Sequence, residues 1–341
     1  MRMDTGLHNL LVKPRGGWMN GHPPGALNIG LLNNMADAAL ENTERQFFRL
    51  LGGAAPELPI RWHLFSMRSI ARSESGNLHL IHQNYGTPGD LYNTRLDALI
   101  VTGAEPRQQD LRQETYWPEL ATVFDWIDRE GPPAIFSCLA AHAAVLHFDG
   151  IERRRLAQKR FGLFDHIVAA EHPLTAALAA PIKVAHSRWN EAPVDALSDA
   201  GYEVLTYAPE AGADLFARRK RNTLLFLQGH PEYDANTLAR EYRRDVRRYL
   251  AGTTEQYPHL PLHYFGQEEI DALTCFRERA SHARDERLMD EFPAIPSQRD
   301  RKGAASVSRA FGAWLRDIDA RRNKHYAMPL ARTLSAGLHA S

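Results

Sequence analysis

Short, nearly continuous apolar runs alternate along this chain with longer stretches in which apolar residues return every third or fourth position. Ala26 to Leu32 is the first run, fit for a buried strand. Asp37 to Leu51 follows as a helix with Leu40, Phe47 and Leu51 on one face and Gly52-Gly53 as its stop. Leu58 to Met67 alternates as a second strand does. Asp97 to Ala104 is an apolar strand running into a glycine loop, and Pro118 to Glu130 is an amphipathic helix with Leu120, Val123, Phe124 and Ile127 at helical spacing. After Pro132-Pro133, Ala134 to Cys138 reads as a strand and the alanine-rich Leu139 to Phe148 as a helix. Tyr202 to Ala208, Leu215 to Ala217 and Thr223 to Gly229 give further strands. Asp234 is placed to cap a helix reaching Leu250 through Leu238, Tyr242 and Val246. Strands alternating with helices predict an α/β layered fold, a mostly parallel sheet flanked by helices, with ligands at the carboxyl ends of the strands.

The ends of the chain depart from this pattern. Residues 1–25, rich in Gly and Pro, read as an irregular N-terminal segment ahead of an α/β domain over 26–265. From 266 to 341 the chain reads as a charged, partly helical surface excursion followed by a C-terminal helix. That helix carries Val307, Phe311, Leu315 and Ile318 on one side and leaves a loose tail after Arg322. The 341 residues hold 41 Lys+Arg against 41 Asp+Glu, so the basic surplus that displaces counterions from nucleic acid is missing. No uncharged apolar run reaches the length of a membrane helix, and Met1 to Arg15 lacks a signal-peptide core, so a cytoplasmic protein with no membrane partner is expected. Two cysteines, Cys138 and Cys275, make no disulfide framework and too little sulfur for a structural zinc site. Neither a metal motif nor a phosphate-cradling glycine loop occurs, so neither a metal nor a nucleotide cofactor is expected.

Cys138 ends an apolar strand and opens a helix of small residues. A nucleophile on such a turn projects from the sheet edge, the helix dipole favours its anionic form, and the N–H of Leu139 is available to a developing oxyanion. Taken alone, a buried cysteine packed like an alanine fits the position equally well. The second constellation is Gly229-His230-Pro231-Glu232-Tyr233-Asp234, directly after the strand that begins at Thr223. Pro231 biases His230 to extended backbone, which points His230 and Glu232 to one side. An imidazole that takes a proton from a thiol, oriented by a carboxylate, completes a Cys–His–Glu triad. His142, one helical turn beyond Cys138, reads more readily as a structural histidine, and the arginine clusters at 153–155, 218–221 and 243–248 read as solvated faces.

These segments resemble the homoserine O-succinyltransferase (homoserine O-acyltransferase) family, whose fold is similar to class I glutamine amidotransferases and flavodoxin-like sheets. The resembling stretches are Asn28 to Leu51, Leu99 to Ala104, Tyr116 to Leu120, the Cys138 turn, His186 to Arg188, and G-H-P-E-Y-D with Thr237 to Asp245. The resemblance implies Cys138 as acyl-thioester nucleophile, His230 as proton acceptor and Glu232 as its partner. It places Lys159, Ser187 and Arg244 at substrate-contacting positions and Arg107 at the position that tunes acyl-donor choice. It implies an acyl-CoA co-substrate, a hydroxy amino acid as acceptor, and a homodimer to which the amphipathic C-terminal helix could contribute. Leu139 stands where the family has tryptophan and His142 where it has glutamine. A cationic Arg107 pairs with the distal carboxylate of a succinyl group, whereas acetyl offers nothing to pair with, so succinyl transfer to L-homoserine is the favoured expectation. Acetyl-CoA as donor, L-serine as acceptor, a glutamine-hydrolysing enzyme and a catalytically silent binding protein remain as alternatives.

Overall fold

The computed structural model describes residues 10–12, 25–178, 181–295 and 301–336. Their strands are β1 (Leu10–Val12), β2 (Leu27–Leu32), β3 (Ile60–Phe65), β4 (Ala98–Thr102), β5 (Ala134–Ser137), β6 (Arg154–Val168), β7 (Ile182–Glu191), β8 (Glu203–Val204), β9 (Thr206–Ala208), β10 (Gly212–Ala213), β11 (Leu215–Arg219) and β12 (Thr223–Leu227). The α-helices are α1 (Leu40–Ala54), α2 (Glu74–His82), α3 (Pro88–Asn93), α4 (Trp117–Arg129), α5 (Leu139–Asp149), α6 (Val194–Asp199), α7 (Thr237–Leu250), α8 (Gln267–His282) and α9 (Arg301–Ala336).

The apolar runs pair into an eight-stranded sheet of order β1-β3-β2-β4-β5-β12-β11-β8. It is parallel from β1 to β12, and β11 and β8 close it antiparallel. Strands β4 and β5 are buried at every position, as parallel strands covered on both faces must be. Alternation along β5 sends Phe136 to one core, with Val123, Phe124, Ala140 and Ala144 of α4 and α5, and Ile135 to the other. That second core holds Phe47 and Leu51 of α1 and Val307, Phe311, Leu315 and Ile318 of α9. The predicted α/β sheet is thus present. The apolar face of α9, the feature through which the helix could contribute to a dimer, is packed inside the chain.

A second, antiparallel sheet, β10-β9-β6-β7, was not predicted. Its longest strand begins Arg154-Arg155-Leu156-Ala157-Gln158, where most side chains are exposed, so no apolar alternation announces it. Helix α8 lies in the charged stretch after Gly266, and its Leu273, Phe276 and Ala280 cover Leu238, Tyr242 and Val246 of α7. The N-cap of α7 is Asn236, not Asp234, whose carboxylate is drawn instead to Arg45 (3.0 Å) and Arg49. The chain after Arg322 continues as helix to Ala336 rather than as a loose tail. Within the N-terminal segment expected to be irregular, Leu10–Val12 pairs beside β3, and all but Gly25 of the rest lies outside the described residues. No helix among the described residues is long and apolar enough to cross a membrane.

Candidate active site

Strand β5 carries Cys138 to the carboxyl edge of the sheet, between β4 and β12. The Cys138 N–H donates to the Leu227 carbonyl (2.7 Å) while its own carbonyl accepts from Ala141 N–H (3.0 Å), so the residue is pinned between strand and helix. That geometry demands φ 53° and ψ −110° at Cys138. A non-glycine residue at such a positive φ costs of order 1–3 kcal/mol, so the surrounding hydrogen bonds must over-determine it. The turn leaves Cys138 only partly buried, open to a ligand. The loop after β4 passes so close to the start of α5 that a Cβ on Gly103 would lie 2.5 Å from Leu139 Cβ. As the first residue of α5, Leu139 has no intrahelical acceptor for its N–H.

The chain leaving β12 brings His230 to the same edge. A Cβ on Gly229 would stand 2.6 Å from Val184 Cγ1 and 2.7 Å from Asp214 Oδ1, so only glycine passes here. The Gly229 N–H donates to Asp214 Oδ1 (2.7 Å) and the His230 N–H to the Ala185 carbonyl (2.7 Å). His230 Nδ1 lies 2.8 Å from Glu232 Oε1, and the Cys138 side chain stands near enough to the ring to interact with it. The carboxylate fixes Nδ1 as a donor and leaves Nε2 for the sulfur. Burial alone would push the His230 pKa down. The charges of Cys138 and Glu232, and the hydrogen bond to Glu232, outweigh it and hold the imidazole well above its ordinary value. These neighbours favour the protonated form of the ring. It is stacked on Tyr233 with ring centroids 4.2 Å apart.

Tyr233 links this couple to a second cluster. Its hydroxyl donates to Glu241 Oε1 (2.6 Å), and Ser187 Oγ donates to Glu241 Oε2 (2.5 Å). Lys159 Nζ lies 3.1 Å from Asp245 Oδ2 and 3.9 Å from Glu241 Oε2. Arg244 reaches Asp245 Oδ1 through Nε (3.0 Å) and Nη2 (2.9 Å) and stays half exposed. The three substrate-contacting positions named from the sequence thus converge on two carboxylates that the sequence reading missed. Glu241 and Asp245 sit four apart on α7, so one helix face presents both, and that spacing was the available signal. Arg107 is exposed on the loop after β4, where the N–H groups of Arg107 (2.5 Å) and Gln108 (2.6 Å) donate to Glu114 Oε1. Among the described residues no group of three His, Cys, Asp or Glu side chains is disposed to hold a metal ion.

Residues 22–284 match the family model described as homoserine O-succinyltransferase. The chain belongs to that family. A homoserine O-succinyltransferase from Rhodopseudomonas palustris is 47% identical over 291 residues, covering 85% of this chain and 87% of the relative. One from Bradyrhizobium japonicum is 44% identical over 313 residues, 92% of this chain and 96% of the relative. Among solved structures, a glutamine amido transferase from Methylobacillus flagellatus aligns with a TM-score of 0.46 at 11% identity, covering 88% of this chain and 94% of the other.

His142 is part of the scaffold rather than of the Cys138–His230 pair. It is buried, and its Nε2 lies 2.9 Å from Gln228 Oε1, which also accepts the Ala192 N–H (2.8 Å). Burial pulls its pKa down to about 3 against a partial lift from Gln228, so the folded protein holds it neutral. The sign follows from linkage. The unfolded chain binds this proton near pH 6.5, so the stability is fully present above that value and is lost as pH falls toward 3. His186 is depressed in the same direction, mainly by burial. Thermal unfolding followed from pH 7 to 4 should show the melting temperature falling, and His142→Gln should flatten that fall without abolishing it. An equally steep fall in the variant would contradict the assignment.

Proposed function

We propose that this protein transfers a succinyl group from succinyl-CoA to the side-chain hydroxyl of L-homoserine through an acyl-thioester on Cys138, giving O-succinyl-L-homoserine for methionine biosynthesis. The observation that carries the reading is the placing of Cys138 and of a His230 ring backed by the Glu232 carboxylate at the same carboxyl edge of a parallel sheet. Family membership supplies the substrates.

The Cys138 thiolate attacks the thioester carbonyl, and the oxyanion that forms meets the Leu139 N–H at the helix start. His230 gives its proton to the departing CoA sulfur. One thioester has replaced another, so this step is close to balanced in free energy. Homoserine then yields its hydroxyl proton to His230, its oxygen attacks the acyl-enzyme, and the ester leaves as Cys138 becomes thiolate again. Glu232 keeps the ring in the tautomer that both proton transfers need. For the zwitterionic acceptor, Arg244 offers a guanidinium to the α-carboxylate and Glu241 a carboxylate to the ammonium, with Lys159 and Ser187 holding Glu241 in place. Arg107 is assigned to the distal carboxylate of the succinyl group. We read the enzyme as a cytoplasmic homodimer that needs no cofactor besides its acyl-CoA co-substrate.

Intact-mass and peptide mass spectrometry after mixing with succinyl-CoA or acetyl-CoA tests this directly. The expected result is a succinyl adduct on Cys138 that homoserine discharges and glutamine or water does not, with Arg107→Gly lowering succinyl labelling relative to acetyl. Acetyl labelling at least as strong would reassign the donor. Discharge by serine in preference to homoserine would reassign the acceptor. Hydrolysis of glutamine in place of any acyl adduct would move the protein to the glutaminases.

A further inference from the structure

Three consecutive residues of β7 face two different places. Alternation along a strand sends Ser187 toward α7, where it meets Glu241, and sends His186 and Arg188 to the opposite side, beneath the edge that carries the candidate active site. Arg188 is 4% exposed, and its guanidinium is held by three neutral acceptors. Nη1 donates to the Asn190 carbonyl (2.7 Å), Nη2 to the Ala211 carbonyl, and Nε to His186 Nδ1 (3.2 Å). The same two segments are bonded by Gln228, which receives the Ala192 N–H (2.8 Å) and donates to the Ala213 carbonyl (2.7 Å). Gln228 directly follows the residue that anchors the Cys138 N–H, and it holds His142 on the first turn after Cys138. Arg188 therefore lies in the layer immediately behind the nucleophile turn.

The histidines fix its place. Arg188 Nε can only donate, so His186 Nδ1 accepts and His186 Nε2 carries the hydrogen. That hydrogen points to His166 Nε2 (3.3 Å), which leaves His166 Nδ1–H to donate to the Phe164 carbonyl (3.1 Å). Both rings are fully buried and stacked with centroids 5.1 Å apart. No carboxylate pairs closely with Arg188: Glu191 Oε2 is 4.0 Å from Nη1, and Glu191 is itself engaged by Arg154. Burial lowers the guanidinium to about 10, so it remains a cation at neutral pH, and Glu191 and Cys138 are the anionic groups that most favour its charge. A buried cation without a tight counter-ion is costly unless its field serves an anion elsewhere.

We propose that Arg188 is a positioning residue for the acyl-transfer site: a fixed, buried cation, held by the His186–His166 pair, that favours the anionic state of the Cys138 sulfur. The inference rests on Cys138 being the nucleophile, as proposed above. The charged and titratable groups that act on that sulfur or on Arg188 are His230, Glu232 and Tyr233 from the loop after β12, His186 and Glu191 from β7, His142 from α5, Arg160 from β6, and Asp214 before β11.

The test is the pH dependence of Cys138 alkylation by iodoacetamide, read on the Cys138 peptide so that exposed Cys275 does not interfere. It needs no substrate. Arg188→Gln keeps one donor for the carbonyls and removes the charge, and the alkylation midpoint is expected to rise by about one pH unit. Arg188→Lys keeps the charge and should stay within a few tenths of wild type even if its melting temperature drops, which a merely structural role would not predict. Glu191→Gln is an independent arm that does not disturb the guanidinium's own bonds. Removing the competing anion should lower the midpoint by a few tenths. A wild-type midpoint in Arg188→Gln, a shift in Arg188→Lys as large as in Arg188→Gln, or no fall in Glu191→Gln would overturn the inference. His230→Asn separates the two levels. If it leaves the midpoint unmoved, the acyl-transfer reading itself fails; if it moves the midpoint and the Arg188 variants do not, only Arg188 loses its assignment.

Discussion

Cys138→Ala is expected to abolish acyl transfer while leaving the fold in place. The loss in kcat should reach at least about four orders of magnitude, because removing a nucleophile that works as one unit with its base leaves only substrate binding and the oxyanion site. The melting temperature should change little or rise. Alanine fits the space and inherits the same strained φ of 53°, so the backbone cost is unchanged. The checks are a steady-state assay with succinyl-CoA and homoserine, intact-mass analysis for the lost adduct, and thermal unfolding. An alanine variant that still turns over within tenfold of wild type would remove Cys138 from the mechanism.

The second large effect is expected from His230→Asn. Asparagine holds a similar volume and can still accept or donate, but it cannot carry a proton from the acceptor hydroxyl to the leaving sulfur. A loss of about 10²–10⁴ in kcat is expected, the range that general acid–base catalysis supplies. The pH dependence carries a second signature. His230 has its pKa raised above its ordinary value by Cys138 and Glu232, against the opposing effect of burial. Its contribution to stability is therefore fully present below the unfolded value near 6.5 and is lost as pH rises through the folded value. Wild-type melting temperature should decline on the alkaline side, and the Asn variant should lack that part of the slope. His142 and His186 impose the opposite slope in acid, so the folded protein is squeezed from both sides. Similar alkaline slopes in the two proteins would mean that the imidazolium is not held as described.

The parallel sheet was legible because its strands are buried on both faces and read as continuous apolar runs, as in the Ala-Leu-Ile-Val-Thr of β4. The Cys138 turn was legible for a local reason as well: the apolar strand stops at Cys138 and small residues follow at once. The second sheet was not legible, because the first half of β6 stands in solvent and carries charge instead of alternation. Helix α8 was hidden in the same way. Three apolar residues, Leu273, Phe276 and Ala280, are enough to seat it on α7, and the charged residues around them dominate any window average. Helix α3 leaves a legible local trace: Thr87 and Asp90 form a capping box around Pro88.

Residue types and short-range order were enough to determine the α/β class, the strand that ends in Cys138, the His230–Glu232 pair on one side of an extended segment, and the family resemblance. Each depends on neighbours within a few positions, where backbone geometry leaves few choices. Only the tertiary structure decided that Cys138 and His230 come to one edge of the sheet, that Lys159, Ser187 and Arg244 meet around Glu241 and Asp245, and that Arg188 lies behind the Cys138 turn. Those contacts join residues many tens of positions apart, brought together by sheet order and by which face of a strand each side chain takes, and neither is written in any local stretch of the chain.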